Sequence, residues 1–140
     1  MSAQEQAVVV RDATPGDDNF ILATWLRGLR HGNTFFGRID QTIYFETYHR
    51  IIRAVLARPD TSTRVACLKD DQEVILGYAV SHPVQGGSAL DWIFCKKAWR
   101  NIGIAKSLLP DNVTTVTHIT ALGDAILKKH KDIKFNPFVL

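Results

Sequence analysis

Residues 91–109 of the sequence read Asp-Trp-Ile-Phe-Cys-Lys-Lys-Ala-Trp-Arg-Asn-Ile-Gly-Ile-Ala-Lys-Ser-Leu-Leu. The first five are apolar or aromatic apart from Asp91, which predicts a strand. A short basic turn follows, and the pattern Arg-x-x-Gly-x-Ala then begins a helix. Gly103 and Ala105 leave room for an anionic group at the backbone, where the free N–H groups and the dipole of a helix start attract it. This stretch therefore predicts a strand, a turn and a helix start that bind a pyrophosphate.

The six residues of this turn resemble motif A of the GNAT family (GCN5-related N-acetyltransferases), which reads Gln/Arg-x-x-Gly-x-Gly/Ala. In that family the motif holds the pyrophosphate of acetyl-coenzyme A (acetyl-CoA). The resemblance implies that acetyl-CoA is the cofactor. It also implies the residues that bind it: Arg100, Asn101, Ile102, Gly103, Ile104, Ala105 and the following Lys106. Another interpretation is that the glycine only allows a helix to pack closely on a strand, with the arginine solvated.

The composition predicts a single ordinary globular domain. The 140 residues form one domain, residues 1–140, and are 46% hydrophobic and 22% charged. The net charge of +3 is too diffuse to predict a nucleic-acid partner, because no block of Lys and Arg alternates with aromatic residues. No apolar run is long enough to span a membrane, and residues 1–6 lack a signal core, so a cytoplasmic location is expected. Cys67 and Cys95 have no metal-ligand spacing and are expected to be buried free thiols.

The first half of the sequence predicts a strand followed by two helices. A β-branched run at residues 7–11 is the strand, and Thr14 is a suitable N-cap for an amphipathic helix over residues 15–31. Residues 31–41 contain glycines and scattered polar residues, which predicts a loop. A second amphipathic helix is predicted between Asp40 and Pro59.

The second half predicts the rest of an α+β fold. We expect a central mixed, mostly antiparallel sheet of about six strands flanked by four helices, and this order of elements resembles that of the GNAT family over nearly the whole chain. The motif-level match is confined to residues 74–109. The GNAT sheet usually has one further strand, so we expect an exposed sheet edge that pairs with a second copy in a homodimer. Besides the opening stretch, the predicted elements are strands at 63–69, 73–81, 113–120 and 133–140 and a helix at 121–131.

Four aromatic residues are candidate contacts of the acceptor substrate. In the GNAT family the segment that includes the first two helices shapes the acceptor pocket. The resemblance therefore implies that Phe35, Phe36, Tyr44 and Tyr48 contact the acceptor. An apolar stripe on a helix is explained equally well by core packing.

Asp91 is the candidate general base. The strand that contains it resembles that of the histone-acetylating GNAT members, where a glutamate at the position of Asp91 is the base. Burial among apolar neighbours would raise its pKa, as a base working near neutral pH requires. The alternative is an aspartate that makes a structural salt bridge. The same resemblance implies that the backbone of Ile93, Phe94 and Cys95 holds the pantetheine arm and the thioester carbonyl.

The general acid is the weakest part of the resemblance. The family usually has a tyrosine in the fourth helix, where this sequence has Lys129, and no tyrosine follows Tyr78. His130 is the candidate acid, and His118 is a second one, although either is also explained as a surface histidine. Water or the acceptor amine would serve as well.

The predicted function is transfer of acetyl from acetyl-CoA to a primary amine, by direct attack in a ternary complex. The amine is carried by a small molecule or a protein. A covalent acyl-enzyme is not expected, because neither cysteine lies at a helix start or beside a histidine. Two alternatives stay open: a non-catalytic acyl-CoA-binding or protein-interaction module on the same fold, and a structural domain without a cofactor.

Overall fold

A six-stranded sheet forms the centre of the molecule, and its strands lie side by side in sequence order. The computed structural model describes residues 3–140, without the side chains of Glu5, Leu122 and Ala125. The strands are β1 (Val8–Asp12), β2 (Ser62–Leu68), β3 (Ile75–Val84), β4 (Gly87–Cys95), β5 (Val113–Val116) and β6 (Lys134–Phe135). Strands β1 to β4 pair antiparallel, whereas β5 is parallel to both β4 and β6. The mixed, mostly antiparallel sheet predicted from the sequence is therefore confirmed.

Helices cover both faces of this sheet. Four of them correspond to the four predicted helices, and two others, α1 and α3, are single turns of four residues. The α-helices are α1 (Ala3–Gln6), α2 (Asp18–Gly32), α3 (Thr34–Gly37), α4 (Gln41–Ala57), α5 (Ile104–Leu108) and α6 (Ala121–Leu127), and 3-10 turns lie at Pro15–Asp17, Lys97–Trp99 and Pro137–Val139. The predicted α+β class is confirmed. Within residues 3–140, no helix combines the length and the apolar character needed to cross a membrane.

The larger core lies between the sheet and the helices α2 and α4. Trp25 of α2 stacks on Trp92 of β4, with ring centroids 5.7 Å apart. Gly28 lies one helical turn after Trp25, and a Cβ there would come within 2.9 Å of the Trp92 ring. Glycine is thus required at position 28 for α2 to approach β4. The smaller core lies on the opposite face, where Ile104 and Leu108 of α5 pack against Ala66, Leu76 and Ala79.

The strands β4 and β5 separate at one end. They are paired only through Ser88, Ala89 and Leu90, and the last backbone contact is from the Thr117 N–H to the Leu90 carbonyl, at 3.1 Å. At the same point the pairing of β4 with β3 contains a β-bulge, in which Asp91 is an extra residue between two paired ones. Such a bulge re-aims side chains and is frequent beside functional sites. The separation and the bulge place Asp91 where β4 and β5 diverge.

Several predicted segments differ from the structure: the strand predicted at 113–120 ends at Val116, the helix predicted at 121–131 ends at Leu127, and two other segments differ more. The sequence predicts a loop at 31–41, but the Asn33 side chain accepts hydrogen bonds from the N–H groups of Phe35 (2.9 Å) and Phe36 (3.3 Å) and so caps α3. The predicted strand at 133–140 is too long, since β6 has two residues and Pro137 then starts a 3-10 turn. Proline has no N–H group with which to continue the strand pairing.

Candidate functional site

The turn after β4 presents exposed backbone. We call residues 100–105 the Gly103 turn. Gly103 has a φ of +88° and lies directly before α5, and a Cβ at this position would meet no heavy atom within 4 Å. Asn101 also has a positive φ, of 66°. Because the space above Gly103 is open, its backbone conformation, not helix packing, requires the glycine there.

The predicted cofactor-binding residues divide between the surface and the smaller core. The apolar Ile104 is buried and Ile102 is half-buried, so these two anchor the turn. Exposed residues surround the open backbone: Arg100, Asn101, Gly103, Ala105 and Lys106. The two isoleucines therefore anchor the turn in the smaller core, while its backbone and the cations Arg100 and Lys106 are exposed to solvent.

The last residues of β4 lie beside the Gly103 turn. Ile93, Phe94 and Cys95 are half-buried, and β5 does not pair with this part of β4. The Nε of Arg100 donates to the carbonyl of Cys95 at 3.2 Å, which ties the turn to the end of the strand. The free edge of the strand and the exposed turn thus form one continuous surface.

Asp91 is almost completely buried, with 1% of its surface exposed. Its Oδ2 lies 2.8 Å from Nδ1 of His82 on β3, and its Oδ1 accepts a hydrogen bond from the hydroxyl of Thr117 at 2.9 Å. Burial raises the pKa of Asp91 above its ordinary value, and the hydrogen bond with His82 opposes this shift. The carboxyl group is therefore suited to gain a proton at a higher pH than an exposed aspartate.

The hydrogen bonds continue from Asp91 towards α4. Nδ1 of His118 lies 3.0 Å from the Thr117 hydroxyl and 3.1 Å from the Asp91 carbonyl oxygen, and its Nε2 lies 3.2 Å from the Tyr48 hydroxyl. Burial lowers the pKa of His118 to about 4. Burial also raises the pKa of Tyr48. We call these five side chains, His82, Asp91, Thr117, His118 and Tyr48, the Asp91 network.

Solved structures share this architecture. A predicted acetyltransferase from Clostridium acetobutylicum, solved with acetyl-CoA, superposes with a TM-score of 0.60 at 17% identity, over 88% of this chain and 88% of that one. A proposed acetyl transferase from Pyrococcus furiosus gives a TM-score of 0.53 at 15% identity, over 92% and 80%. A GNAT-family acetyltransferase from Staphylococcus aureus Mu50 gives 0.50 at 19% identity over 73% of this chain, which spans 61% of that protein.

This chain has the fold of the GNAT acetyltransferases. At identities of 15–19%, the likeness extends to the fold and not to a shared substrate. No protein-family model and no curated protein matches the sequence.

On this GNAT fold, the four predicted acceptor contacts have different surroundings. Tyr44 is buried, and its hydroxyl donates to the Leu26 carbonyl at 2.6 Å, so it belongs to the core. Phe36 and Tyr48 are half-buried and in contact, with ring centroids 5.1 Å apart. Phe35 is 69% exposed. Tyr48 therefore combines partial exposure with a contact to His118, and Phe36 is its half-buried neighbour.

The two candidate acids also differ in position. His118 belongs to the Asp91 network and packs edge-on against Trp25 and Tyr48. His130 is exposed in the segment after α6, and none of the hydrogen bonds described for Asp91, Thr117 or His118 involves it. The structure thus brings one of the two histidines to the predicted base.

Sequence reasoning missed two members of the network, His82 and Thr117. His82 lies in a strand whose other residues from 75 to 81 are all buried, and a buried histidine requires a partner. That signal was present in the sequence. The partner could not be named from it, because His82 pairs with Ala89 in the sheet and only the bulge turns Asp91 towards it.

Proposed function

We propose that residues 1–140 act as one acetyl-CoA-dependent N-acetyltransferase, which transfers acetyl to a primary amine by direct attack in a ternary complex. The observation that carries the proposal is a juxtaposition along β4. The strand has a buried carboxyl group where β5 leaves it, a free edge beyond that point and an exposed, positively charged turn at its end. Acetyl transfer needs a general base, groups that bind the thioester and groups that bind the pyrophosphate. The carboxyl group, the free edge and the turn would supply these in that order.

The Gly103 turn fits a pyrophosphate. Its open backbone leaves space that a Cβ would fill, and Arg100 and Lys106 place positive charge beside it. The solved Clostridium acetobutylicum structure with acetyl-CoA has the same fold, which supports this choice of cofactor. When bound, acetyl-CoA supplies an acetyl group activated as a thioester. The free edge at Ile93, Phe94 and Cys95 would offer backbone N–H groups to the pantetheine arm and the carbonyl oxygen.

Asp91 is the proposed base. Its raised pKa favours proton uptake, and His82 holds one carboxyl oxygen in place at 2.8 Å. For the proton that the departing sulfur must receive, we favour the acceptor nitrogen over the sequence-predicted acid His130, because the exposed His130 lies outside the Asp91 network. Phe36 and Tyr48 are the proposed acceptor contacts, with Phe35 at the exposed rim.

The alternative is a non-catalytic acyl-CoA-binding module on the same fold. One observation favours it: Asp91 is 1% exposed and cannot touch a substrate from its position. Binding would then persist without chemistry. Measuring binding and transfer separately distinguishes the two functions.

The test begins with a thermal shift. Acetyl-CoA and coenzyme A are expected to raise the melting temperature, because a ligand that binds only the folded state stabilises it, whereas adenosine alone should have little effect. Thiol release from acetyl-CoA is then measured with alkylamines, arylalkylamines and peptides that carry free amines. Amine-dependent release supports the transferase. A shift without release for any amine supports the binding module, and no shift at all contradicts both.

We also propose a cytoplasmic homodimer. Cys67 and Cys95 are free thiols, which is typical of a reducing compartment. In the described sheet β6 is the outer strand, and Phe135 and Phe138 near it are 49% and 94% exposed. An exposed edge beside apolar side chains favours pairing with a second copy. Light scattering should give twice the chain mass of 15.7 kDa, and Phe138→Asp should lower it. A monomer at high concentration, unchanged in that variant, contradicts the dimer.

A further inference from the structure

The proposed base is separated from the space where a substrate could lie. Asp91 is 1% exposed, Thr117 is 2% exposed, and His118 and Tyr48 are half-buried. Exposure thus rises along the Asp91 network, from the carboxyl group to the tyrosine on α4. Tyr48 also contacts Phe36, the other half-buried residue among the predicted acceptor contacts. The half-buried end of the network, at Tyr48, is therefore the end that an acceptor amine can approach.

The directions of the hydrogen bonds in the network are fixed by chemistry. The carbonyl oxygen of Asp91 can only accept, so Nδ1 of His118, 3.1 Å away, carries the proton. Nε2 of the neutral imidazole then has a lone pair and accepts from the Tyr48 hydroxyl at 3.2 Å. The Thr117 hydroxyl donates to the Asp91 carboxylate at 2.9 Å and can accept from His118 at 3.0 Å. Every donor points towards Asp91.

We propose that Asp91 acts from a distance: the acceptor ammonium gives a proton to Tyr48, and a proton relay through His118 and Thr117 leaves one proton on the Asp91 carboxylate. The proposal rests on the proposed acetyltransferase function and deepens it. Tyr48 is the residue that contacts the reacting nitrogen. His118 and Thr117 act through their neighbours and position the transfer.

The proton transfers balance. One N–H bond of the ammonium breaks and an O–H bond forms at Tyr48, whose own proton passes to Nε2 of His118. The Nδ1 proton passes to Thr117, and the Thr117 hydroxyl proton passes to Oδ1 of Asp91. The free amine then attacks the thioester carbon, a C–N bond forms and the C–S bond breaks. A second N–H proton moves to the sulfur, and the proton on Asp91 returns along the network to solvent, which restores the first arrangement.

Two further charged or titratable groups face Asp91 from neighbouring elements. His82 on β3 holds the other carboxyl oxygen at 2.8 Å, and Arg58 after α4 lies close enough to favour the carboxylate. The pKa of His118, lowered to about 4, keeps its imidazole neutral at physiological pH. A neutral imidazole has one N–H and one lone pair, which this path requires.

Thr117 gives the sharpest test, because Thr117→Val keeps the shape and removes the hydroxyl. We expect kcat for acetyl transfer to fall on the order of a hundredfold, the lower range for losing acid–base help, with the affinity for acetyl-CoA unchanged. Thr117→Ser retains a hydroxyl and should stay within about threefold of the wild type. The matched control is Thr24→Val, which removes a half-buried hydroxyl that bonds to Tyr78 at 2.8 Å, outside the network. Rates are compared per folded molecule.

Tyr48→Phe is a second variant that keeps the aromatic ring in place. It should lower kcat as much as Thr117→Val, and the double variant should be no slower than either alone, because both interrupt one path. Tyr78→Phe, which removes a buried hydroxyl elsewhere, is its control. If Thr117→Val or Tyr48→Phe transfers acetyl within about threefold of the wild type, or if Thr117→Ser is as slow as Thr117→Val, the path is wrong.

A readout without turnover separates this proposal from the proposed function. Long-range ¹H–¹⁵N NMR spectra should show His118 neutral between about pH 5.5 and pH 8, with its proton on Nδ1. A proton on Nε2 would overturn the path even in an active enzyme. A wild type that transfers acetyl while Thr117→Val is unaffected overturns only the path. A wild type that binds acetyl-CoA and acetylates no amine overturns the path and the transferase together.

Discussion

The Gly103 turn and the Asp91 network lie beside the same strand and are built in opposite ways. The turn consists of consecutive residues, mostly exposed. A ligand there would contact the backbone, in which Gly103 has a φ of +88°. The network consists of side chains that come from three strands or strand ends and from α4, and the carboxyl group at its centre is 1% exposed. One region is a property of the local chain, and the other exists only after folding.

This difference predicts how each region responds to substitution. A backbone site tolerates changes of its side chains but not a new side chain in the space of the ligand. A buried hydrogen-bonded network is sensitive to the loss of single atoms, because the remaining polar groups lose their partners. Binding should therefore depend on one glycine, and the chemistry on individual oxygen and nitrogen atoms.

The largest expected effect is on the turn. Gly103→Glu places a side chain and a negative charge in the proposed anion site, so acetyl-CoA should cause no thermal shift and acetyl transfer should be undetectable. The measurements are the melting temperature with and without acetyl-CoA and the rate of thiol release. A normal shift in this variant would contradict the assignment of the pyrophosphate site.

Gly86→Glu is the matched control for that variant. Gly86 has a φ of +85°, and a Cβ there also meets no heavy atom within 4 Å, but it lies in the turn between β3 and β4. Both substitutions carry the same conformational cost, about 1–2 kcal/mol for a left-handed residue. Gly86→Glu should lose that stability and keep its response to acetyl-CoA.

The second largest effect is expected in the network. Asp91→Asn keeps the shape of the side chain but cannot accept a proton, so the rate of acetyl transfer should fall on the order of 10²–10⁴-fold near neutral pH. The loss should shrink as pH rises and more of the acceptor amine is already deprotonated. Cofactor affinity should not change. Rate and melting temperature are measured on the same variant across pH.

Asp17→Asn controls for the loss of a buried carboxylate. Asp17 is 6% exposed and pairs with Arg11 at 2.7 Å, next to the start of α2. Its substitution should lower stability and leave the rate per folded molecule intact. If Asp91→Asn behaves in the same way, Asp91 is a structural partner and not the base.

The two regions also differ in how far the sequence predicts them. The Gly103 turn is formed by adjacent residues, and its strand, turn and helix start could be predicted because the effects of a glycine and of hydrophobic periodicity are local. The start of α6 shows the same local control, since the hydroxyl of Thr120, directly before the helix, accepts from the Gly123 N–H at 3.2 Å. Local signals of this kind account for most of the fold.

The Asp91 network depends on contacts between residues that are far apart in the sequence, and only some of its members could be predicted. Asp91, Tyr48 and His118 were candidates, each for a separate role. His82 and Thr117 were missed, because their contact with Asp91 depends on a bulge between β3 and β4 and on the point where β5 leaves β4. No periodic pattern within one segment contains that information.

A third effect concerns stability and tests the burial of the network. The pKa of His118 is about 4 in the folded protein against an ordinary value of 6.5, so between these values the unfolded state binds more protons. Stability should therefore fall as pH drops from about 6.5 to about 4, by up to about 3 kcal/mol. Asp91 acts in the opposite direction, since its raised pKa makes its contribution fall as pH rises.

The contribution of His118 to the pH dependence of stability is obtained by comparing the wild type with a variant that lacks the imidazole. The free energy of unfolding is measured by urea titration at several pH values for the wild type and for His118→Gln, which does not titrate. The wild type should lose more stability than the variant over that range. His49→Gln replaces an exposed histidine on α4 and should follow the wild type. Parallel curves for the wild type and His118→Gln would show that the imidazole is not protected from protonation.

The smallest effect is expected from the exposed cations of the turn. Arg100 and Lys106 are exposed. An ionic contact at the surface typically contributes about 0–1 kcal/mol, so Lys106→Ala should weaken acetyl-CoA binding by no more than about fivefold. Arg100→Ala should be somewhat worse, because it also removes the 3.2 Å bond to the Cys95 carbonyl. Both losses should diminish at high salt, which screens exposed charges. Affinities from calorimetry at low and high salt give the comparison with Gly103→Glu. If Lys106→Ala alone abolished binding, the pyrophosphate would be held by a side chain, and the contrast between a backbone site and a side-chain network would fail.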